Sequence, residues 1–110
     1  MLTRSFKKIL EDLKPIEDIK EIVLSRDNQE VGRIPNEEGK RGSLAVYAHL
    51  VGHKEGEITA REAIYGLELF AEHTPDAQKH PGKHPNIDRL LDIIDKGYGL
   101  KVEVVYVESR

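Results

Sequence analysis

The stretch Leu67–Ile94, LELFAEHTPDAQKHPGKHPNIDRLLDII, joins the end of one apolar helix to the start of another. The loop between the helices is rich in Pro, Gly, Lys and His, and the stretch holds three of the five histidines of the chain. A capping box of Thr59 and Glu62 marks the start of the first helix, because each side chain can satisfy a free backbone N–H of the other residue. Asn86 is expected to cap the second helix, which ends near Gly97. The stretch therefore predicts two core helices separated by a polar loop.

The remaining elements are predicted from the spacing of apolar residues. Helical repeats over Leu2–Leu13, and over the segment that Ser43 opens, predict one amphipathic helix and one largely buried helix. Alternation over Ile19–Leu24 and again over Glu30–Ile34 predicts a β-hairpin with an Asp-Asn pair in its turn. The segment Leu100–Val107 has the strongest strand pattern, and its apolar residues on both faces indicate a central or well-covered strand.

The order of these elements predicts the fold class. Thr74 as a cap, with Pro75 in the first helical position, favours a short extra helix that ends at Lys79, and an irregular loop is the alternative. The order helix, hairpin, two or three helices, strand is typical of an α+β domain. We expect a small three-stranded sheet, formed by the N-terminal hairpin and the C-terminal strand, with about four helices packed on one face. At 110 residues, the chain is expected to form a single domain over residues 1–110.

Composition limits the classes of function. The net charge is only −3, with charged residues at 34% and both signs mixed along the chain, so nucleic acid is not an expected partner. The absence of cysteine excludes disulfides, thiolate metal sites and cysteine nucleophiles. No apolar run reaches the ~18 residues of a membrane span, and the N-terminus does not resemble a signal peptide. We therefore expect a cytoplasmic protein with no membrane partner.

One loop combines basic side chains, a glycine and a helix start. Helix N-termini present unpaired N–H groups and a partial positive charge, so a basic loop in front of one suits a phosphate, a carboxylate or an acidic partner surface. A weaker copy of this pattern lies at Gly39–Ser43. The alternative is a solvated loop with turn glycines and capping residues. The residues expected to bind the ligand are Lys79, His80, Gly82, Lys83, His84, Asn86 and Arg89.

The spacing of the histidines raises the question of a metal site. His49 and His53 are four residues apart and would share one face of a helix, as in two-histidine zinc sites. Leu50 follows the first of them, so the His-Glu-x-x-His pattern of zinc proteases is absent. Polar, partly exposed histidines that serve hydrogen bonds are the expected alternative. We predict no metal and no other cofactor, with His49, His53, His73, His80 and His84 as weak metal candidates.

Three segments of the chain resemble an uncharacterised bacterial family. They are Gly42–Tyr47 (GSLAVY), Gly66–Thr74 (GLELFAEHT) and Pro81–Leu90 (PGKHPNIDRL). The resemblance is to the domain-of-unknown-function family DUF2322, and it extends over nearly the whole chain. It implies a short, stand-alone bacterial protein with no assigned activity, cofactor or catalytic residues, and so it assigns no role to any position of this sequence.

Three functions remain open from the sequence. The first is a binding module that recognises a small anionic ligand or an acidic partner surface at the basic loop. The second is an interaction module that forms homo-oligomers through the hairpin edge or the N-terminal helix. The third is a metal-dependent enzyme that uses the histidines. Because the chain has no serine elbow, no cysteine and no distinctive acid pair, the sequence favours a function without catalysis.

Overall fold

The structure is a computed structural model that describes residues 5–108. These residues form five helices and four strands. In chain order they are α1 (Phe6–Asp12), β1 (Ile19–Arg26), β2 (Gln29–Pro35), α2 (Arg41–Leu50), β3 (Glu55–Ile58), α3 (Ala60–Leu69), α4 (His73–Lys79), α5 (Pro85–Lys96) and β4 (Leu100–Tyr106). The predicted start of the first helix at Leu2 lies outside the described residues. Within them, the hydroxyl of Ser5 caps α1 and accepts a hydrogen bond from the Lys8 N–H at 3.3 Å.

The strands form one antiparallel sheet in the order β2-β1-β4-β3. As predicted, β4 pairs with a strand of the hairpin, with Val104 opposite Ile22. Of the two positions that its apolar faces allow, central or well covered at an edge, it takes the central one. The prediction of three strands is wrong, because β3 also pairs with β4 and places Ile58 opposite Leu100. The sequence of β3, EGEI, contains a glycine and has only Ile58 fully buried, so no strand pattern is visible locally. The strand β3 forms because its backbone hydrogen-bonds the edge of β4 that β1 leaves free.

The hairpin turn is formed by the predicted Asp-Asn pair. Asp27 and Asn28 have φ values of 53° and 66°, the left-handed geometry of two-residue turns that follow the twist of the strands. Along the hairpin, Ile22 faces Ile34 and both side chains are buried. The neighbouring Arg33 is exposed and bonds Glu30 on its own strand and Glu21 on β1.

One hydrophobic core joins the sheet to the helices. The strand residues buried in it are Ile19, Ile22, Leu24, Ile34, Ile58, Leu100 and Val102. The helices α2, α3 and α5 pack against them with Leu44, Tyr47, Ala63, Leu90 and Ile93, among others. Between residues 5 and 108, no helix combines the length and apolar character that crossing a membrane requires.

The helices number five in the described residues, instead of the four or so that the sequence predicts. The apolar repeat that follows Thr59 predicts a helix that ends near His73, but α3 ends at Leu69 and Ala71 adopts a left-handed φ of 51°. The short helix α4 then begins at His73, so Thr74 is not its cap and lies inside its first turn. The Thr74 hydroxyl instead donates a hydrogen bond to the Leu67 carbonyl at 2.6 Å, which ties α4 to α3.

Candidate functional site

Both basic loops that the sequence singles out lie at one groove. This inter-helix groove has a volume of about 500 Å³ and lies between the N-termini of α2 and α5. Folding therefore joins two separate candidate sites into one. The groove is lined by Phe6, Leu10, Gly39, Lys40, Arg41, Gly42, Ser43, Phe70, His73, Lys83, His84, Pro85, Asn86 and Ile87.

Neither of the two helix starts is capped by a side chain. Lys40 occupies the N-cap position of α2 and His84 that of α5, and neither side chain bonds the first turn. The backbone N–H groups of Arg41, Gly42 and Ser43 meet no acceptor among residues 5–108. The same holds for the N–H of Asn86 on α5. The groove thus receives free donors and the positive ends of two helix dipoles.

The wall opposite these donors is apolar and partly aromatic. The ring of Phe6 stacks on that of Phe70 with 5.4 Å between centroids. The ring of His73 contacts the Phe6 ring edge-on, with 5.0 Å between centroids. The first turn of α2 can approach Phe6 this closely because position 42 is a glycine. A Cβ atom at Gly42 would lie 2.8 Å from Cε2 of Phe6, well inside normal carbon contact. The groove therefore pairs a polar, donor-rich end with an apolar wall.

An acidic residue outside the groove holds two of its basic side chains. Asp76 on α4 lies 2.9 Å from Lys83 Nζ and accepts a hydrogen bond from His84 Nε2 at 2.7 Å. Its carboxylate is also 3.9 Å from His80. Hydrogen bonds from Lys83 and His84 lower the pKa of Asp76 to about 2, so the carboxylate is ionised at neutral pH. Lys83 and His84 are thus already bound by a carboxylate of the same chain.

The loop backbone is also satisfied by the chain itself. Gly82 has a left-handed φ of 93°, and its N–H donates to Oδ2 of Asp88 at 2.9 Å. The expectation that Asn86 caps α5 is wrong. The cap position lies two residues earlier, at His84, and the helix begins at Pro85, because the fixed φ of proline and its missing N–H suit the first helical position. Asn86 lies in the first turn, where its carbonyl accepts a hydrogen bond from the buried hydroxyl of Tyr47.

Four of the seven predicted ligand-binding residues do not line the groove. They are Lys79, His80, Gly82 and Arg89. Lys79 and His80 are exposed at the C-terminal end of α4. Arg89 points towards the sheet, where its guanidinium covers Gly32 so closely that a Cβ there would lie 2.5 Å from Nη2. Its Nε is buried and has no hydrogen-bond partner among residues 5–108. Of the seven predicted residues, the structure brings Lys83, His84 and Asn86 to the groove.

The five histidines do not converge on one point. His49 lies in the last turn of α2, the end opposite the groove, and its Nε2 is 3.2 Å from the Tyr65 hydroxyl. His53 is buried with a left-handed φ of 63°, and its Nε2 has no hydrogen-bond partner in the part of the chain that the structure describes. His73 and His84 have rings 5.5 Å apart at the groove. Within the described part of the chain, no group of three or more His, Cys, Asp or Glu residues is placed to hold a metal ion.

Sequence reasoning did not identify the residues that give the site its shape. The apolar repeats of the first and third helices predict only that Phe6, Leu10 and Phe70 face the core, yet these side chains line the groove. Asp76 was not singled out, although it lies four residues before His80 and seven before Lys83. An acidic residue followed at this spacing by two basic residues, on a short helix and the loop after it, is the one local pattern that indicates a role for Asp76.

A second, larger groove lies beside the first. It has a volume of about 800 Å³ and is lined mainly by the linker from α1 to β1, including Leu13 and Ile16, and by the side of α2 at Ala45. It contains none of the histidines and none of the predicted ligand-binding residues. The inter-helix groove, although smaller, is therefore the candidate site.

Comparison with known proteins agrees with the resemblance seen in the sequence. Searches of curated proteins and of solved structures give no match to this chain. The model of a family described as "uncharacterized protein conserved in bacteria (DUF2322)" matches residues 6–104, which include every residue that lines the groove. The chain therefore belongs to the bacterial family DUF2322.

Proposed function

We propose that the protein is a binding module whose inter-helix groove takes a small organic anion, a carboxylate or a phosphate ester, with an apolar body. The observation that carries the proposal is that two helix starts without side-chain caps open into one groove. Backbone N–H groups at helix starts are common ligands for anions. Two such sets facing one space give the anion donors from two directions.

The charges around the groove support an anionic ligand. Arg41 uses its Nε to bond Asn36 at 3.1 Å, which leaves its terminal amino groups for a ligand. Lys40 makes only a long exposed contact of 3.7 Å with Glu37. Exposed ion pairs of this kind are weak, so a ligand displaces them at small cost. Lys83 adds a third cation on the side of α5.

The apolar wall supports an organic rather than an inorganic ligand. The groove volume of about 500 Å³ lies within the range of small-molecule sites, which pair apolar walls with a few placed polar groups. Phe6 and Phe70 would contact the apolar body while the helix starts bind the charged end. A free phosphate ion uses only the second set of contacts and should bind more weakly.

The test is a calorimetric titration with phenylacetate and with inorganic phosphate, followed by amide NMR. We expect phenylacetate to bind, with the largest shifts at the amides of Gly42, Ser43 and Asn86. The double variant Arg41→Ala with Lys83→Ala should weaken binding about tenfold, as expected for lost hydrogen bonds to charged groups.

A matched control removes two exposed cations outside the groove, Arg61→Ala with Lys96→Ala. This variant has the same net charge as the first and should bind like the wild-type protein. Equal losses in the two double variants would reduce the effect to overall charge and refute the site. Absence of binding by both probes would refute the proposed function.

A further inference from the structure

Asp76 makes contacts that a ligand in the groove would need. Its carboxylate is paired with Lys83 Nζ at 2.9 Å and with His84 Nε2 at 2.7 Å. Both partners line the inter-helix groove, whereas Asp76 itself does not. An internal carboxylate therefore occupies the two basic side chains on the α5 side of the site.

The two sides of the groove differ in this respect. On the α2 side, the N–H groups of Arg41, Gly42 and Ser43 meet no acceptor in the described part of the chain. On the α5 side, the N–H of Asn86 is open as well, but chain carboxylates already bind the other donors: Asp76 binds the two side chains, and Asp88 binds the N–H of Gly82. An anion that enters would meet open backbone donors at both helix starts, and on the α5 side it would also meet a competitor for the two basic side chains.

We propose that Asp76 acts as an internal competitor that sets the affinity of the groove for its anion, by holding Lys83 and His84 until the ligand takes them over. This inference rests on the proposed function and specifies how that site is regulated. The exchange requires only side-chain rotation, since the bond between the Gly82 N–H and Asp88 anchors the loop backbone. Lys83 is suited to such an exchange because its side chain is 58% exposed and can turn without unpacking the core.

The alternative role for Asp76 is to position Lys83 and His84 for the ligand, as carboxylates do for many functional histidines. The two roles predict opposite effects of the isosteric variant Asp76→Asn. A competitor, once neutralised, frees its partners and tightens binding. A positioning residue, once neutralised, loosens its partners and weakens binding.

The experiment titrates phenylacetate into the wild-type protein and into Asp76→Asn, with Asp92→Asn as control. Asp92 lies on α5 and pairs with Lys96 at 3.9 Å, so the control removes the same charge outside the groove lining. We expect Asp76→Asn to bind about fivefold more tightly, as suits the release of Lys83 from one partly exposed ion pair and of His84 from its hydrogen bond. Asp92→Asn should change affinity by less than about twofold, because exposed charges at a distance are screened by salt.

A second pair of variants tests whether the effect acts through Lys83. In a Lys83→Ala background, most of the gain from Asp76→Asn should disappear, because the released cation is missing. Unchanged or weaker binding by Asp76→Asn would overturn the inference and leave the proposed function intact. If neither the wild-type protein nor Asp76→Asn binds phenylacetate or inorganic phosphate, both the proposed function and this inference are refuted.

Discussion

The substitution Gly42→Ala tests how tightly α1 is packed against the start of α2. The added methyl would lie 2.8 Å from Cε2 and 3.0 Å from Cζ of Phe6, and 3.6 Å from Cδ1 of Leu10. Ordinary carbon contacts are about 3.5–4.0 Å, so the ring must move by roughly 0.7–1 Å. Its other side is held by the rings of Phe70 and His73. The new methyl therefore strains the groove wall.

Two opposing effects set the magnitude for Gly42→Ala. Alanine gains up to about 1 kcal/mol over glycine in a helix, whereas overpacking costs about 1–3 kcal/mol. We expect a net loss of about 1 kcal/mol in the free energy of unfolding, which for a chain of this size lowers Tm by about 5 °C. Urea denaturation followed by circular dichroism measures the first quantity, and thermal scans measure the second.

The control for Gly42→Ala is the same substitution in a Phe6→Leu background. Leucine lacks the two ring atoms that the methyl would meet, so only the helical gain of up to about 1 kcal/mol remains and the sign of the effect reverses. The packing argument is refuted if Gly42→Ala stabilises the wild-type protein, or if its effect is the same in both backgrounds.

Two further predictions concern other elements. Burial, and next the positive charge of Lys14, lower the pKa of His53 in the folded protein, so that its neutral form is favoured there. The contribution of His53 to folding stability is therefore full above the unfolded pKa of about 6.5, and it is lost as the pH falls from that value through the lower pKa of the folded state. Urea titrations at several pH values should show a shallower loss for His53→Asn, and an equal slope would contradict the assignment. At the start of α3, Glu62 accepts a hydrogen bond from the Thr59 N–H at 2.9 Å. Glu62→Ala should cost about 1 kcal/mol of unfolding free energy, whereas the exposed neighbour Arg61→Ala should cost little, and equal effects would exclude a capping role.

Features that depend on a few neighbouring residues were predictable from the sequence. The hairpin turn follows from an Asp-Asn pair that tolerates left-handed geometry. The capping box of Thr59 and Glu62 is confirmed, with Oε1 of Glu62 bonded to the Thr59 N–H. The apolar content of both faces of β4 correctly indicated a central or well-covered strand. In each case the backbone preference or the burial pattern depends on residues that are neighbours in the sequence.

The same reasoning predicted only part of the candidate site. The basic loops before α2 and α5 could be identified, because lysine, glycine and a helix start follow one another in the sequence. Their common groove could not, since it depends on α1 and the end of α3 supplying Phe6 and Phe70 as a wall. The direction of Arg89 could not be predicted either, because its guanidinium fits against the sheet only where Gly32 has no side chain.

The sequence by itself determined the fold class, the positions of most helices and strands, and the bacterial family. Local periodicity and capping carry that information, because they express backbone preferences over a single turn or strand. Only the tertiary structure decided the fourth strand, the meeting of two helix starts and the pairing of Asp76 with Lys83 and His84. These features depend on contacts between distant or differently oriented segments. Their energies arise only when the core packs and brings free edges, free donors and charges together.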